Sequence, residues 1–140
     1  MARILSIDYG KKRTGLAHTD PLQLIAGGLK TVETSRLQTE LEQLLATGEY
    51  EEIIIGLPMQ TNGQASENQA RVRCFAGTIR KKYPEIPLTF YDERFTSVLA
   101  HRTMLDGGLG KKKRQDKALV DEISATIMLQ EYLERKRSGR

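Results

Sequence analysis

The stretch Glu51 to Gly56 contains three β-branched residues in a row, Ile53-Ile54-Ile55. A strand with one wet face alternates apolar and polar residues. An unbroken run instead calls for a strand covered on both faces, as in the parallel sheets of α/β proteins. That run predicts a layered molecule, helices on either side of a sheet, with Gly56-Leu57-Pro58 stopping the strand. The remaining segments fit around it. Arg3 to Tyr9 reads as another strand apolar enough to lie inside a sheet, and Thr14 to Thr19 returns as its hairpin partner after the turn Gly10 to Arg13. A third extended stretch covers about Leu24 to Val32. Thr34 or Ser35 is placed to cap a helix reaching about Thr47, with Leu37, Leu41, Leu44 and Leu45 on one face and Gly48 ending it.

Downstream, a polar loop spans Met59 to Ala65 and a helix fits Ser66 to Tyr83. Pro87 to Tyr91 makes a short strand ending in Asp92-Glu93-Arg94. Phe95 to Leu105 is expected to be helical. Asp106 to Arg114, DGGLGKKKR, is expected to be a mobile loop, and a last helix runs from about Asp116 to Arg135. An opening meander followed by βα units predicts an α/β fold with a mixed sheet and helices on both faces. At 140 residues, with no internal repeat and no linker, the chain is expected to be one domain, 1–140.

Composition excludes several classes. No apolar run approaches the ~18 residues of a membrane span, and Asp8 sits where a signal peptide needs apolar residues, which argues against secretion. The single cysteine, Cys74, cannot make an intramolecular bridge; it suits a reducing cytoplasm and reads as a small core residue of its helix. Two histidines, His18 and His101, and no Cys–His cluster argue against zinc. There is no Gly-x-Ser-x-Gly elbow, and Gly10 to Gly15 lacks the spacing of a phosphate-binding Walker loop. The formal net charge is only +4. Its basic residues, however, cluster at Lys11-Lys12-Arg13, Arg80 to Lys82, Lys111-Lys112-Lys113-Arg114 and in the C-terminal tail, a distribution that favours a polyanionic partner.

In open α/β sheets, sites form outside the carboxyl ends of the strands. Asp8 ends the first strand, Gly56-Leu57-Pro58 the fourth, and Asp92 and Glu93 the fifth. A carboxylate there is costly unless it is paired or binds a metal. Asp8 has two such outlets, an ion pair with Arg13 or Arg94, or a cation. The last helix favours the cation, because Asp121 lies on the same face as Ala125, Met128 and Tyr132, with Glu122 on its shoulder as a weaker candidate. Acids converging from separate elements can hold hard divalent ions, and two such ions ~4 Å apart support phosphodiester cleavage.

With Asp8, Glu93 and Asp121 identified, the chain resembles the small YqgF-type proteins of bacteria, described as Holliday-junction resolvases or pre-16S rRNA processing nucleases. The matching stretches are Asp8-Tyr9-Gly10 with Lys12 to Ala17, Gly56-Leu57-Pro58 with Asn62-Gly63, Asp92-Glu93-Arg94-Phe95-Thr96-Ser97, and Lys117 to Asp121 with Ala125. Phe95 stands where a leucine is more usual. The resemblance implies a ribonuclease H-like fold with a five-stranded mixed sheet in the order 3-2-1-4-5. It also implies that Asp8, Glu93 and Asp121 bind Mg²⁺ or Mn²⁺ and carry catalysis. Lys11, Lys12, Arg13, Arg94, Lys111, Lys112, Lys113 and Arg114 would then contact nucleic acid.

The expected function is 5′-end processing of pre-16S rRNA by a metal-dependent endonuclease acting on structured RNA in the cytoplasm. The alternatives are a resolvase on branched DNA, which would favour a two-fold homodimer, and a non-catalytic nucleic-acid or ribosome-binding module. With no tryptophan, three phenylalanines and five tyrosines, no stacking surface for single strands is expected.

Overall fold

The structure is a computed structural model; it describes residues 2–57, 67–92 and 117–137. Five strands, β1 (Arg3–Asp8), β2 (Arg13–Thr19), β3 (Ala26–Glu33), β4 (Tyr50–Leu57) and β5 (Leu88–Asp92), form one sheet in the order β3-β2-β1-β4-β5. β1 pairs antiparallel with β2 and parallel with β4, and β4 pairs parallel with β5. The sheet is therefore mixed and has the expected order. Among the described residues, three α-helices accompany it: α1 (Leu37–Leu45), α2 (Glu67–Lys82) and α3 (Lys117–Arg137).

Strand alternation divides the core into two layers. Leu5, Ile7, Leu16, Ile53 and Ile55 pack with Leu37 and Leu41 of α1 and Val72, Phe75, Ala76 and Ile79 of α2. On the opposite face Ile4, Ala17 and Ile54 pack with Ala125, Met128, Leu129 and Leu133 of α3. All three isoleucines of the run are fully buried, as a strand between two helical layers requires.

Two local expectations fail. Neither Thr34 nor Ser35 caps α1 with its side chain; a 3₁₀ turn over Thr34–Arg36 leads into the helix, and Thr34 is engaged elsewhere. Cys74 is exposed, because Val72, Phe75, Ala76 and Ile79 form the inward stripe of α2 and turn position 74 outward. Gly48 does end the α1 segment, with φ at 73°, a conformation that glycine adopts without the steric cost of a Cβ. The segments expected to be the loop 59–65, the helix 95–105 and the basic loop 106–114 lie outside the described residues.

Candidate functional site

The parallel pairing puts the carboxyl ends of β1, β4 and β5 on one edge. Ile7 is opposite Ile55, and Leu57 is opposite Asp92, so the strand ends at Asp8, Leu57 and Asp92 form a continuous margin. Asp8 is half-buried there. Its antiparallel partner across the hairpin is Gly15, which brings the turn between β1 and β2 to the same margin.

That turn is held in shape by residues distant in sequence. The Thr34 hydroxyl donates to the Gly10 carbonyl at 2.6 Å and its N–H donates to the Lys12 carbonyl at 2.9 Å. Because the Thr34 proton goes to Gly10, the 2.9 Å contact between the two threonines has the Thr14 hydroxyl as donor. A Cβ at Gly10 would overlap the Arg13 carbonyl, so the turn closes this tightly only around glycine. Tyr9 stacks on Phe75 of α2 with centroids 4.8 Å apart. Lys11 and Lys12 project from this fixed turn as exposed side chains, and Arg13 opens β2 half-buried. The turn thus sets fixed positive charge beside the end of β1.

α3 reaches the same margin through a buried hydrogen bond. Ser6, fully buried in β1, donates from its hydroxyl to the Ala125 carbonyl at 2.9 Å. Further along α3, the Tyr132 hydroxyl donates to Glu52 near the start of β4, and Lys136 donates to the same carboxylate at 3.1 Å. The helix therefore runs opposite to β1, with its first turns toward the carboxyl ends. Position 121 lies one turn before Ala125, about 6 Å along the axis. Asp8 lies two residues beyond Ser6, about 6.6 Å along the strand. The Ser6 bond therefore sets position 121 level with Asp8.

The edge thus unites Asp8, the turn Lys11–Arg13 and the backbone at positions 92 and 121. Glu93, which directly follows Asp92, lies outside the described residues, as do the side chain of Asp121 and the basic candidates Arg94, Lys111, Lys112, Lys113 and Arg114. Among the described residues no group of three His, Cys, Asp or Glu side chains is arranged to hold a metal. Glu122 does not join this edge. Its carboxylate lies over Gly28 of β3, where a Cβ would overlap it, and Gly28 is opposite Ala17, which is in turn opposite Ser6 rather than Asp8. Two residues that sequence reasoning passed over help to build the site. Ser6 fixes α3, and its signal was a lone hydroxyl in an apolar strand. Thr34 fixes the basic turn, and nothing local distinguished that role from capping.

A mixed 3-2-1-4-5 sheet with an acid ending its central strand, crossed by a closing helix, defines a ribonuclease H-like fold of the RuvC type. The structure is similar to that of Thermus thermophilus RuvC in complex with a Holliday junction substrate, with a TM-score of 0.63 at 17% identity, covering 99% of this chain and 97% of that one. It is also similar to the fowlpox virus Holliday junction resolvase, with a TM-score of 0.55 at 15% identity over 94% and 98% of the two chains.

The model of the RuvX family, described as Holliday junction resolvase, matches residues 2–135, and the chain belongs to that family. Relatives named "Putative pre-16S rRNA nuclease" include one from Bacteroides thetaiotaomicron, 59% identical, and one from Phocaeicola vulgatus, 60% identical. Each match covers 98% of this chain and 99% of the relative.

Proposed function

We propose that this chain is a metal-dependent endonuclease that processes the 5′ end of pre-16S rRNA, with Asp8, Glu93 and Asp121 as the residues that hold Mg²⁺ or Mn²⁺. The observation that carries the reading is the edge itself: Asp8 ends the central strand level with helix position 121, beside a rigid turn bearing Lys11 and Lys12. The names of the close relatives supply the substrate. The donor types fit the ion, since carboxylate oxygens suit hard divalent cations. Two divalent ions, when bound, supply an activated water and charge stabilisation at the leaving oxygen. The chain's own part is to position the phosphodiester. Lys11, Lys12 and Arg13 neutralise backbone phosphates and orient them without reading sequence. Arg94 and Lys111 to Arg114 extend that contact.

The reading treats residues 1–140 as one domain and implies action in the cytoplasm, where rRNA is processed. Among the described residues no helix is long and apolar enough to cross a membrane. The test compares cleavage of a precursor rRNA fragment with cleavage of a four-way DNA junction, each in Mg²⁺ and in Mn²⁺. Cleavage of the RNA alone supports the proposal. The second reading, a resolvase on branched DNA, is favoured by the family's own description and the RuvC-type fold. It predicts junction cleavage and a two-fold dimer by light scattering. Binding to either nucleic acid without cleavage would favour a non-catalytic module instead.

A further inference from the structure

The two flanks of α2 meet different strands. Phe75 stacks on Tyr9, the residue that follows β1. Arg80 donates from its guanidinium to the carbonyl of Leu88, the first residue of β5, at 3.2 Å. These contacts fix the direction of the helix: its last turns reach the start of β5, and its first turns lie toward the strand-end edge. Arg73 and Arg80 are seven residues apart, just under two full turns, so they share one flank. Phe75 is turned more than half way round from Arg73. The guanidinium carbons of Arg73 and Arg80 lie 5.5 and 5.1 Å from the centroid of one ring, Phe90 of β5, within the range of cation–π contact.

Two exposed cations thus share one ring, and no carboxylate accompanies them: among the described residues neither arginine is in an ion pair. Lys82 is different, since it pairs with Glu42 at 2.6 Å. The run Arg80 to Lys82, one cluster in the sequence, is therefore divided by the fold, and Arg80 joins Arg73 instead. Contact with a ring uses the face of a guanidinium and leaves its in-plane N–H donors for an acceptor. Arg80 spends one of them on Leu88. The two like charges repel each other, and an anion bound to both reverses that repulsion. Planar forks of donors suit the oxygens of a phosphate. Phe90 itself is half-buried in the layer of α1 and α2, and its part is to hold the arginines in place.

The strand-end edge lies between this pair and the basic turn. β1, β4 and β5 are neighbours, so Asp8 and Asp92 are about 9.6 Å apart across the sheet. Phe90 is two residues, about 6.6 Å, before Asp92. Arg73 is about 10.5 Å nearer the edge than Arg80 along the helix axis. We propose that Arg73 and Arg80, oriented by Phe90, form a second phosphate clamp that takes the sugar–phosphate backbone on the β5 flank of the edge. The turn bearing Lys11 and Lys12 holds the backbone on the β1 flank, so the strand crosses the edge from β1 to β5. The inference rests on the nucleic-acid reading above and adds the path of the strand. Phosphate contacts carry no sequence information, so the clamp serves RNA and DNA alike.

The test measures binding in EDTA by fluorescence anisotropy, with the labelled precursor rRNA fragment and the labelled four-way junction. Arg73→Gln/Arg80→Gln should bind about tenfold more weakly at about 0.1 M salt, and its log–log salt slope should fall by about 1.4 to 1.8, or ~0.7 to 0.9 for each lost phosphate. Lys30→Gln/Lys82→Gln removes the same charge from lysines already paired with Glu40 and Glu42, and should leave affinity and slope near wild type. A second readout needs no variant. Phenylglyoxal modification of the wild-type chain, followed by mass spectrometry, should show Arg73 and Arg80 protected when nucleic acid is bound, while Arg137 at the far end of α3 reacts as before. An unchanged slope in the folded arginine variant, or both arginines unprotected on a chain that binds, would overturn the clamp and leave the nuclease reading intact. Equal loss in the lysine variant would reduce the effect to net charge and overturn the clamp as well. A wild-type chain that binds neither nucleic acid would overturn both readings.

Discussion

β1 and β4 lie side by side, parallel, with Leu5, Ser6 and Ile7 opposite Ile53, Ile54 and Ile55 and all six side chains fully buried. β4 fills that span with three isoleucines and is pure packing. β1 gives up one of those positions to a hydroxyl and then ends in a carboxylate. A buried hydroxyl costs free energy unless it is hydrogen-bonded, and a carboxylate costs more. Ser6 recovers its cost by fixing α3. Asp8, in the proposed reading, is kept for the cations it holds. The contrast separates a strand that stabilises the sheet from its neighbour, which carries the chemistry, and each half of it can be broken separately.

The largest effect is expected at Asp8. Asp8→Asn preserves size and removes the charge that would hold a cation. Cleavage in Mg²⁺ should fall by orders of magnitude. RNA binding in EDTA should hold or tighten, because one negative charge beside the phosphates is gone. A thermal melt in EDTA run alongside the cleavage assay decides the matter. A destabilised variant that still cleaves would place Asp8 in an ion pair of the fold and remove it from catalysis.

Ile54 tests the other strand. It faces α3 beside Ile4 and Met128 with no exposure, so Ile54→Ala should cost about 2–5 kcal/mol from lost burial and the cavity left behind. Urea unfolding should show the loss as a lower midpoint at constant slope. Cleavage per folded molecule, assayed well below the melting temperature, should stay near wild type. A variant of normal stability with poor cleavage would erase the distinction between the two strands.

The sequence made β4 legible because full burial on both faces leaves a local mark, an unbroken β-branched run. Asp8 was legible because a charge at the end of such a run is conspicuous. Features that depend on distant partners were not. Thr34 looks like a helix cap from its neighbours, yet its hydroxyl is used by Gly10, 24 residues away. Glu122 shares a shoulder with Asp121 on the helix, and only the fold shows that Gly28 makes room for its carboxylate. Cys74 was a different failure, since the stripe Val72, Phe75, Ala76 and Ile79 was readable and sets position 74 outside it.

Ser6 joins the two halves of the comparison, and its expected effect is smaller. Ser6→Ala removes one buried hydrogen bond and leaves the Ala125 carbonyl its place in the helix, so the loss should be about 1 kcal/mol. If Ser6 sets α3 in register with Asp8, the Mg²⁺ concentration for half-maximal cleavage should also rise. Ser6→Thr, which keeps the hydroxyl, should recover more of that metal response than Ser6→Val, which matches threonine in shape without it. A stability loss with an unchanged metal response would reduce Ser6 to packing.

The smallest effect lies at the other end of β1, where His18 of β2 and Tyr50 of β4 meet across the strand. The Nδ1 to hydroxyl distance is 2.7 Å, and the rings stack with centroids 5.9 Å apart. Burial, then the charge of Arg3, holds the His18 imidazole below its ordinary value, partly offset by Glu49. Burial raises the Tyr50 phenol, so Tyr50 keeps its proton and donates it to the neutral ring. The unfolded chain takes up a proton near the ordinary histidine value of about 6.5, before the folded chain does. The contribution of His18 is therefore complete above that pH and is lost as pH falls through it toward the depressed folded value. Melting temperature should decline from pH 7.5 to 5.5, and His18→Gln, which has an amide oxygen to accept from Tyr50, should flatten part of the decline. An unchanged pH slope in that variant would mean that His18 is not the group being protonated. The pH response at the far end of β1 would then have to come from another group, such as Glu49 paired with Arg3.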